Sequence, residues 1–129
     1  MFDLTDTLEI SPFSLNKYEK SDLFDGAIKS LTNFHSKNCP SYQKILVNLG
    51  FDSKRPHRIE DYPFLPVRLF KDYELMSVDK SKIIKTMTSS GTTGQRVSKI
   101  FLDRKTATNQ TKVLAKIAAS LIGPKRLPL

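Results

Sequence analysis

Apolar residues recur at helical spacing after Ser21 and again after Pro40, which predicts two helices in the N-terminal half of the chain. Ser21 is a suitable N-cap for the first helix. We expect that helix to end near Asn38, because Pro40 disfavours helical geometry at the residue before it. The second helix is predicted over residues 41–49 and is ended by Gly50. The predicted inward faces are Phe24, Ala27, Ile28, Leu31 and Phe34 in the first helix, and Tyr42, Ile45, Leu46 and Leu49 in the second.

Two less regular segments lie on either side of these helices. Residues 1–20 hold scattered apolar positions broken by Pro12, which predicts an irregular arm with at most a short helix. Residues 52–80 contain three prolines and are expected to form short helical turns and extended connections that pack as an apolar wall. The members of that wall are Tyr62, Phe64, Leu65, Val67, Leu69, Phe70 and Tyr73.

Near Ile83 the apolar periodicity changes from 3.6 residues to two, which predicts an antiparallel strand pair over residues 83–88 and 97–102. Asp103 is a suitable N-cap for a final helix from about 104 to 121, ended by Gly123. Its expected inward face consists of Ala107, Gln110, Leu114, Ile117, Ala118 and Leu121. The predicted fold class is therefore α+β, with a helical N-terminal half, a strand pair and a C-terminal helix.

The charge of the chain is unevenly distributed. The 129 residues carry a net charge of +8, yet residues 81–129 hold ten basic side chains and one acidic one, Asp103. A local positive field attracts phosphates, whether they belong to a nucleotide, a nucleic acid or an anionic membrane. A solvated basic face without a ligand is the alternative.

Length and composition narrow the function classes further. A mass of 14.7 kDa fits one domain, and no apolar run approaches the roughly 20 residues that span a bilayer. The N-terminus carries acidic residues where a secretory signal has cations, so we expect a cytoplasmic protein. Cys39 is the single cysteine, which excludes an internal disulfide and a multi-cysteine zinc site, and no metal ligands are predicted. We expect Cys39 to be a small buried residue, and His35 and His57 to serve structure or face solvent.

The segment with a chemical signature joins the two predicted strands. Two glycines allow close backbone approach, successive N–H groups can converge on an anion, and four hydroxyls can turn toward phosphate oxygens. Arg96 and Lys99 would add positive field. The spacing is not that of a Walker P-loop, and a plain turn between strands is the alternative. The candidate phosphate-binding residues are Ser89, Ser90, Gly91, Thr92, Thr93 and Gly94.

This segment, Thr-Ser-Ser-Gly-Thr-Thr-Gly, resembles the phosphate loop of the adenylate-forming enzymes, and within them most closely the LuxE-type acyl-protein synthetases. These are also called long-chain-fatty-acid–luciferin-component ligases, a bioluminescence-related family, and the phenylacetate–coenzyme A ligases are close cousins. The upstream segment over residues 62–71, Tyr-Pro-Phe-Leu-Pro-Val-Arg-Leu-Phe-Lys, is similar to the one that precedes the loop in that family. The resemblance covers residues 60–126, with a looser helical match before them.

The resemblance implies that residues 1–129 are the N-terminal part of an ATP-dependent ligase with a larger α/β fold. Such an enzyme forms an acyl-adenylate from a fatty carboxylate and passes the acyl group to the thiol of a protein or of coenzyme A. Magnesium is expected in the full-length enzyme, and catalytic residues are not assigned in this chain. The resemblance also implies that these residues alone are inactive, because the family's adenine, ribose and magnesium contacts lie later in a longer chain. The apolar C-terminus leads us to expect self-association through uncovered apolar faces.

Two alternatives remain from the residues themselves. The basic face could make the chain a small nucleic-acid-binding module, although Phe101 is the single aromatic residue after Tyr73 and no nucleic-acid motif accompanies the charge. The chain could also be a partner-binding module without catalysis.

Overall fold

A computed structural model describes residues 5–53, 55, 57–90 and 96–123. Within them the chain forms five α-helices and one two-stranded antiparallel sheet, which confirms the predicted α+β class. The elements are α1 (Thr5–Glu9), α2 (Lys17–Asn38), α3 (Pro40–Asn48), α4 (Leu69–Asp72), β1 (Ile83–Thr88), β2 (Lys99–Asp103) and α5 (Arg104–Ile122). Two short 3-10 helices lie at Ile59–Asp61 and Lys80–Lys82. None of the helices in this part of the chain is both long and apolar enough to cross a membrane.

Helix α2 starts five residues before the predicted one, so the assignment of Ser21 as its N-cap is wrong. The side chain of Asn16 accepts the backbone N–H groups of Tyr18 and Glu19 at 2.9 and 3.1 Å. In return, Glu19 Oε2 accepts the Asn16 N–H at 2.8 Å, which completes a capping box. The other end is confirmed, because α2 ends at Asn38 and Pro40 opens α3.

The small core of the helical half lies where α2 meets α3. Thr32, Cys39 and Leu46 are buried there, and Cys39 is 3% exposed, as predicted. Phe24 and Leu49 are more than half exposed, which corrects their predicted inward placement. Helix α3 has nine residues and extends about 14 Å. Phe24 lies 15 residues before Cys39, about 22 Å along α2, and is therefore beyond its reach. Leu49 caps the end of α3, where Gly50 turns the chain with a φ of 66°.

The segment before the sheet forms only part of the predicted apolar wall. Tyr62, Leu65, Leu69 and Phe70 are half-buried, whereas Phe64, Val67 and Tyr73 are largely exposed. The prolines restrict this segment to short turns, so it has no continuous face that could bury all of its apolar side chains at once. The predicted short helical turns are confirmed by the 3-10 helix at Ile59–Asp61 and by α4.

The strand pair is confirmed, with β2 shifted slightly toward the C-terminus. Thr88 pairs with Lys99, and the register continues without interruption to Lys85 opposite Leu102, which is buried at 6% exposure. A bulge follows at Ile84, and Ile83 then lies opposite Asp103.

Helix α5 has the predicted ends but a different inward face. Asp103 accepts the Thr106 N–H at 2.8 Å, and Gly123 ends the helix with a φ of 85°. Ala107 and Ile117 are half-buried as predicted, together with Asn109, Val113 and Ala119. The other predicted inward residues are exposed: Gln110, Leu114, Ala118 and Leu121.

The N-terminal arm explains why a different face of α5 is buried. The Lys116 ammonium group donates to the Leu8 carbonyl oxygen, so the arm packs on the stripe that contains Val113 and Ile117. The most apolar face of a helix is buried only if another element covers it. In α5 the N-terminal arm covers the face with Val113 and Ile117 instead of the more apolar face that the sequence predicted.

Candidate functional site

The hairpin holds the two ends of the candidate loop together. Beyond the last strand pair, the Ser89 N–H donates to the Ser98 carbonyl oxygen at 3.2 Å. The Ser98 N–H donates to Ser89 Oγ at 3.0 Å. Ser90 therefore leaves the sheet, and Val97 re-enters it, at one fixed point.

Two of the six predicted phosphate-binding residues, Ser89 and Ser90, lie in the described part of the chain, and both are exposed. The other four, Gly91, Thr92, Thr93 and Gly94, lie outside the described residues. Because Ser89 Oγ accepts the Ser98 N–H, its own O–H is available to donate to a ligand. The phosphate-binding role of the six residues stays a prediction.

Ser98 is a residue of this site that the sequence did not single out. It is 7% exposed, and its hydroxyl has no hydrogen-bond partner among the described residues. A buried hydroxyl without a partner is uncommon, because losing its water without a replacement has a free-energy cost. The base of the loop therefore holds one hydroxyl donor that no described residue accepts.

Basic side chains form a cleft beside this loop base. Helix α4 packs against β2 and places Lys71 next to the residues that follow the loop. The resulting cavity has a volume of about 410 Å³ and is lined by Lys71, Arg96, Val97 and Lys99. That volume lies in the range of about 300–1,000 Å³ that ligand pockets occupy. Arg96 and Lys99, which were expected to add positive field to the loop, line this cavity together, and Lys71 joins them through the fold.

Asp72 is an acidic side chain that contacts this cleft. Its carboxylate lies 3.8 Å from Arg96 Nη1 and accepts the Arg68 Nε–H at 3.3 Å. The Arg96 side chain is 80% exposed, and ion pairs of this exposure contribute little free energy. An incoming anion can therefore compete with Asp72 for the guanidinium group of Arg96.

Lys71 could have been found from sequence only indirectly. It is the last residue of the segment that resembles the family's upstream motif, but nothing in its spacing indicates that it meets residues 96–99. Residues far apart in sequence are brought into contact here by tertiary packing, which local periodicity does not report.

The histidines serve the structure, as predicted. His35 Nδ1 lies 2.6 Å from Ser77 Oγ, and burial lowers the pKa of the His35 imidazole. His57 donates through Nε2 to the Asp52 carbonyl oxygen at 2.6 Å, and its ring stacks on Phe51. Among the described residues, no three side chains of His, Cys, Asp or Glu are placed to hold a metal ion together.

Comparison with known proteins then gives a match to a protein family. The family model described as LuxE, acyl-protein synthetase, matches residues 3–129. A search of curated proteins found no match, and a search of solved structures found none either. The match covers the candidate loop, the cleft and all the described elements.

Proposed function

The chain belongs to the LuxE family of acyl-protein synthetases, and from that membership we propose that its Ser89–Gly94 loop binds the phosphates of ATP during acyl activation. The observation that carries the proposal is the basic cleft beside the loop base, where Lys71, Arg96 and Lys99 converge. Cations and hydroxyls at one point suit a chain of phosphates, which carries several negative charges within a few ångströms.

In the proposed reaction, an oxygen of the substrate carboxylate attacks the α-phosphorus of ATP. The bond from the α-phosphorus to the bridging oxygen breaks, and pyrophosphate leaves with that oxygen. A thiol then attacks the acyl carbonyl carbon, the thiol proton is lost to a base or to solvent, and AMP leaves. Because substrate and leaving group supply the reacting atoms, the loop would act by positioning and by stabilising charge.

The described residues divide these tasks. The O–H of Ser89, whose oxygen accepts the Ser98 N–H, and the exposed hydroxyl of Ser90 would donate to phosphate oxygens at the start of the loop. Lys71, Arg96 and Lys99 would offset the charge that grows on the departing pyrophosphate. Contacts to adenine and ligands for magnesium are not assigned to any described residue, and we propose that other parts of the enzyme supply them. For that reason residues 1–129 should bind ATP weakly and catalyse no turnover.

Pyrophosphate binding to the 129-residue chain tests the cleft. We expect the Lys71→Gln and Arg96→Gln variants each to weaken pyrophosphate binding about tenfold, as the loss of one charge-assisted hydrogen bond of about 1.5 kcal/mol would do. Lys112→Gln, which removes an equal charge from an exposed position on α5, is the matched control. Equal losses in all three variants would mean that only the net charge matters, which would argue for a non-specific basic face.

The phosphate-binding role of the loop is tested in an active enzyme that contains this chain. Replacing both Gly91 and Gly94 by Ala restricts the backbone, and should lower carboxylate-dependent ATP–pyrophosphate exchange at least a hundredfold while the circular dichroism spectrum stays unchanged. Unchanged exchange in the double variant would refute the loop assignment. Robust exchange by residues 1–129 alone would refute the proposed inactivity of this portion.

A further inference from the structure

A serine and a histidine that lie 42 residues apart in sequence meet outside the candidate phosphate site. Ser77 lies between α4 and the 3-10 helix at Lys80–Lys82, and its Oγ is 2.6 Å from Nδ1 of His35 on α2. Both side chains are half-buried, so the pair is partly shielded from water while a small molecule can still reach it. Neither residue lines the basic cleft beside the phosphate loop.

Aromatic rings hold the imidazole of His35 in place. The ring of Phe34 meets it edge-on with the two centroids 5.3 Å apart, and the ring of Tyr42 on α3 does so at 6.3 Å. The Tyr42 hydroxyl is hydrogen-bonded in turn to the side chain of Thr32, which is buried. Helices α2 and α3 together therefore set the orientation of His35 toward Ser77.

The protonation state of His35 suits a general base. Burial lowers the pKa of its imidazole below the usual value of about 6.5, so the ring is largely neutral at pH 7. In a neutral imidazole one nitrogen carries the proton and the other accepts a hydrogen bond. With the proton on Nε2, Nδ1 accepts the O–H of Ser77 and can take up its proton when the oxygen attacks an electrophile.

We propose that Ser77 is a nucleophile, that His35 is its general base, and that the pair hydrolyses small activated esters. Ser77 Oγ attacks the carbonyl carbon of the ester, and its proton passes to Nδ1 of His35. The bond from the carbonyl carbon to the ester oxygen breaks, and the proton on His35 passes to the leaving oxygen or to solvent. Water then attacks the acyl group on Ser77 and gives a proton to His35, which returns it to Ser77 as the acid leaves. This reaction needs no ATP and stands independently of the proposed role of the phosphate loop.

A second serine provides an internal comparison. Ser81 Oγ donates to Asp79 Oδ1, also at 2.6 Å, so its hydrogen bond is as short as that of Ser77 but ends on a carboxylate. The side-chain and backbone hydrogen bonds from Ser81 lower the pKa of the Asp79 carboxyl, which makes it a weaker base than an imidazole. Because activation comes from the imidazole, Ser77 should react with an ester faster than Ser81 does, even though Ser81 is the more exposed of the two.

Reaction of the 129-residue chain with p-nitrophenyl acetate tests the proposal, in the absence of ATP and at pH 7, where lysine amines are protonated. At early times, tandem mass spectrometry should find the acetyl group on Ser77 at least tenfold more often than on Ser81. Release of p-nitrophenolate should continue beyond one equivalent per chain. Ser77→Ala should lower the rate of that release at least tenfold, whereas Ser81→Ala, which removes the comparison hydroxyl, should leave it unchanged.

The His35→Gln variant tests the base. It keeps a polar side chain beside Ser77 but cannot take up the proton, and it should lower the acetylation of Ser77 at least tenfold. If this variant does not fold, the comparison of Ser77 with Ser81 in the unmodified chain keeps the test decisive, because it needs no substitution. Equal acetylation of the two serines would overturn the proposal, as would undiminished acetylation of Ser77 in a folded His35→Gln variant. An acetyl group that stays on Ser77 without further release would overturn the hydrolytic step.

Discussion

Ser89 and Ser98 are joined twice across the open end of the hairpin, once through their backbones and once through the Ser89 side chain. The second bond is the more specific one, since it needs a hydroxyl at position 89 to accept the Ser98 N–H. Ser98 is buried, so this N–H has no access to water as a substitute partner. The candidate loop is thereby anchored on the sheet at the residue where it begins.

Ser89→Ala should lower the free energy of unfolding by about 1–3 kcal/mol, because it leaves a buried N–H without an acceptor. Ser90→Ala, at the exposed neighbouring position, should change it by less than about 0.5 kcal/mol. Urea denaturation measures both values, and amide exchange at Ser98 should accelerate only in the Ser89 variant. Equal effects in the two variants would show that the side-chain bond does not anchor the loop.

The start of α2 gives a second test, in which sequence and structure make opposite predictions. Asn16→Ala removes the acceptor for two backbone N–H groups and should lower the free energy of unfolding by about 1 kcal/mol. Ser21→Ala should have little effect, because Ser21 lies inside the helix and is exposed. Thermal or urea denaturation of the two variants distinguishes them. A larger loss from Ser21→Ala would mean that the helix starts where periodicity alone had placed it.

Local signals explain which parts of the fold could be predicted. Pro40, Asp103 and Gly123 act within one turn of their own positions, so the ends that they set were predicted correctly. The start of α2 could also have been found, because Asn16 and Glu19 have the spacing of a capping box, but Ser21 was a competing N-cap nearer the apolar stripe.

The inward face of α5 and the position of Lys71 depend on contacts between residues far apart in sequence. The face of α5 is set by the arm, through the bond from Lys116 to Leu8, and Lys71 reaches the loop because α4 packs on β2. In both cases the pattern along one element shows what can be buried but does not identify the neighbour. The sequence therefore predicted a candidate site that consists of the loop, Arg96 and Lys99, and the structure adds Lys71 to it.

His35 should make the stability depend on pH. Burial lowers the pKa of its imidazole below the usual value of about 6.5, so the unfolded chain binds a proton at a higher pH than the folded chain does. The free energy of unfolding is therefore highest above pH 6.5, as far as His35 determines it. It decreases as the pH falls toward the lowered pKa, because protonation of His35 favours the unfolded state.

The His35→Gln variant tests this expectation. It keeps a polar side chain near Ser77 but cannot titrate, so its urea midpoint should change less between pH 7.5 and 5.5 than that of the unmodified chain. An NMR titration of the His35 imidazole measures the pKa directly. An equal pH dependence in both proteins would assign the effect to other groups.

The uncovered stripe of α5 leads to the last prediction, which concerns self-association. Leu114, Ala118, Leu121 and Ile122 recur at helical spacing and are exposed, and Leu114 and Leu121 are 61% and 72% exposed. An apolar stripe of this kind on one helix favours association with a second apolar surface. We therefore expect the 129-residue chain to associate in solution, and the variant with Leu114→Glu and Leu121→Glu to remain a 14.7 kDa monomer at concentrations where the unmodified chain does not.

The matched control is Thr108→Glu with Gln110→Glu, which adds the same two charges to exposed polar positions of the same helix. If the stripe mediates association, the control variant should still associate, because it leaves every apolar residue of the stripe in place. Light scattering coupled to size exclusion measures the mass of all three proteins. A monodisperse monomer for the unmodified chain at high concentration would contradict the prediction, and loss of association in the control would assign the effect to net charge instead of to the stripe.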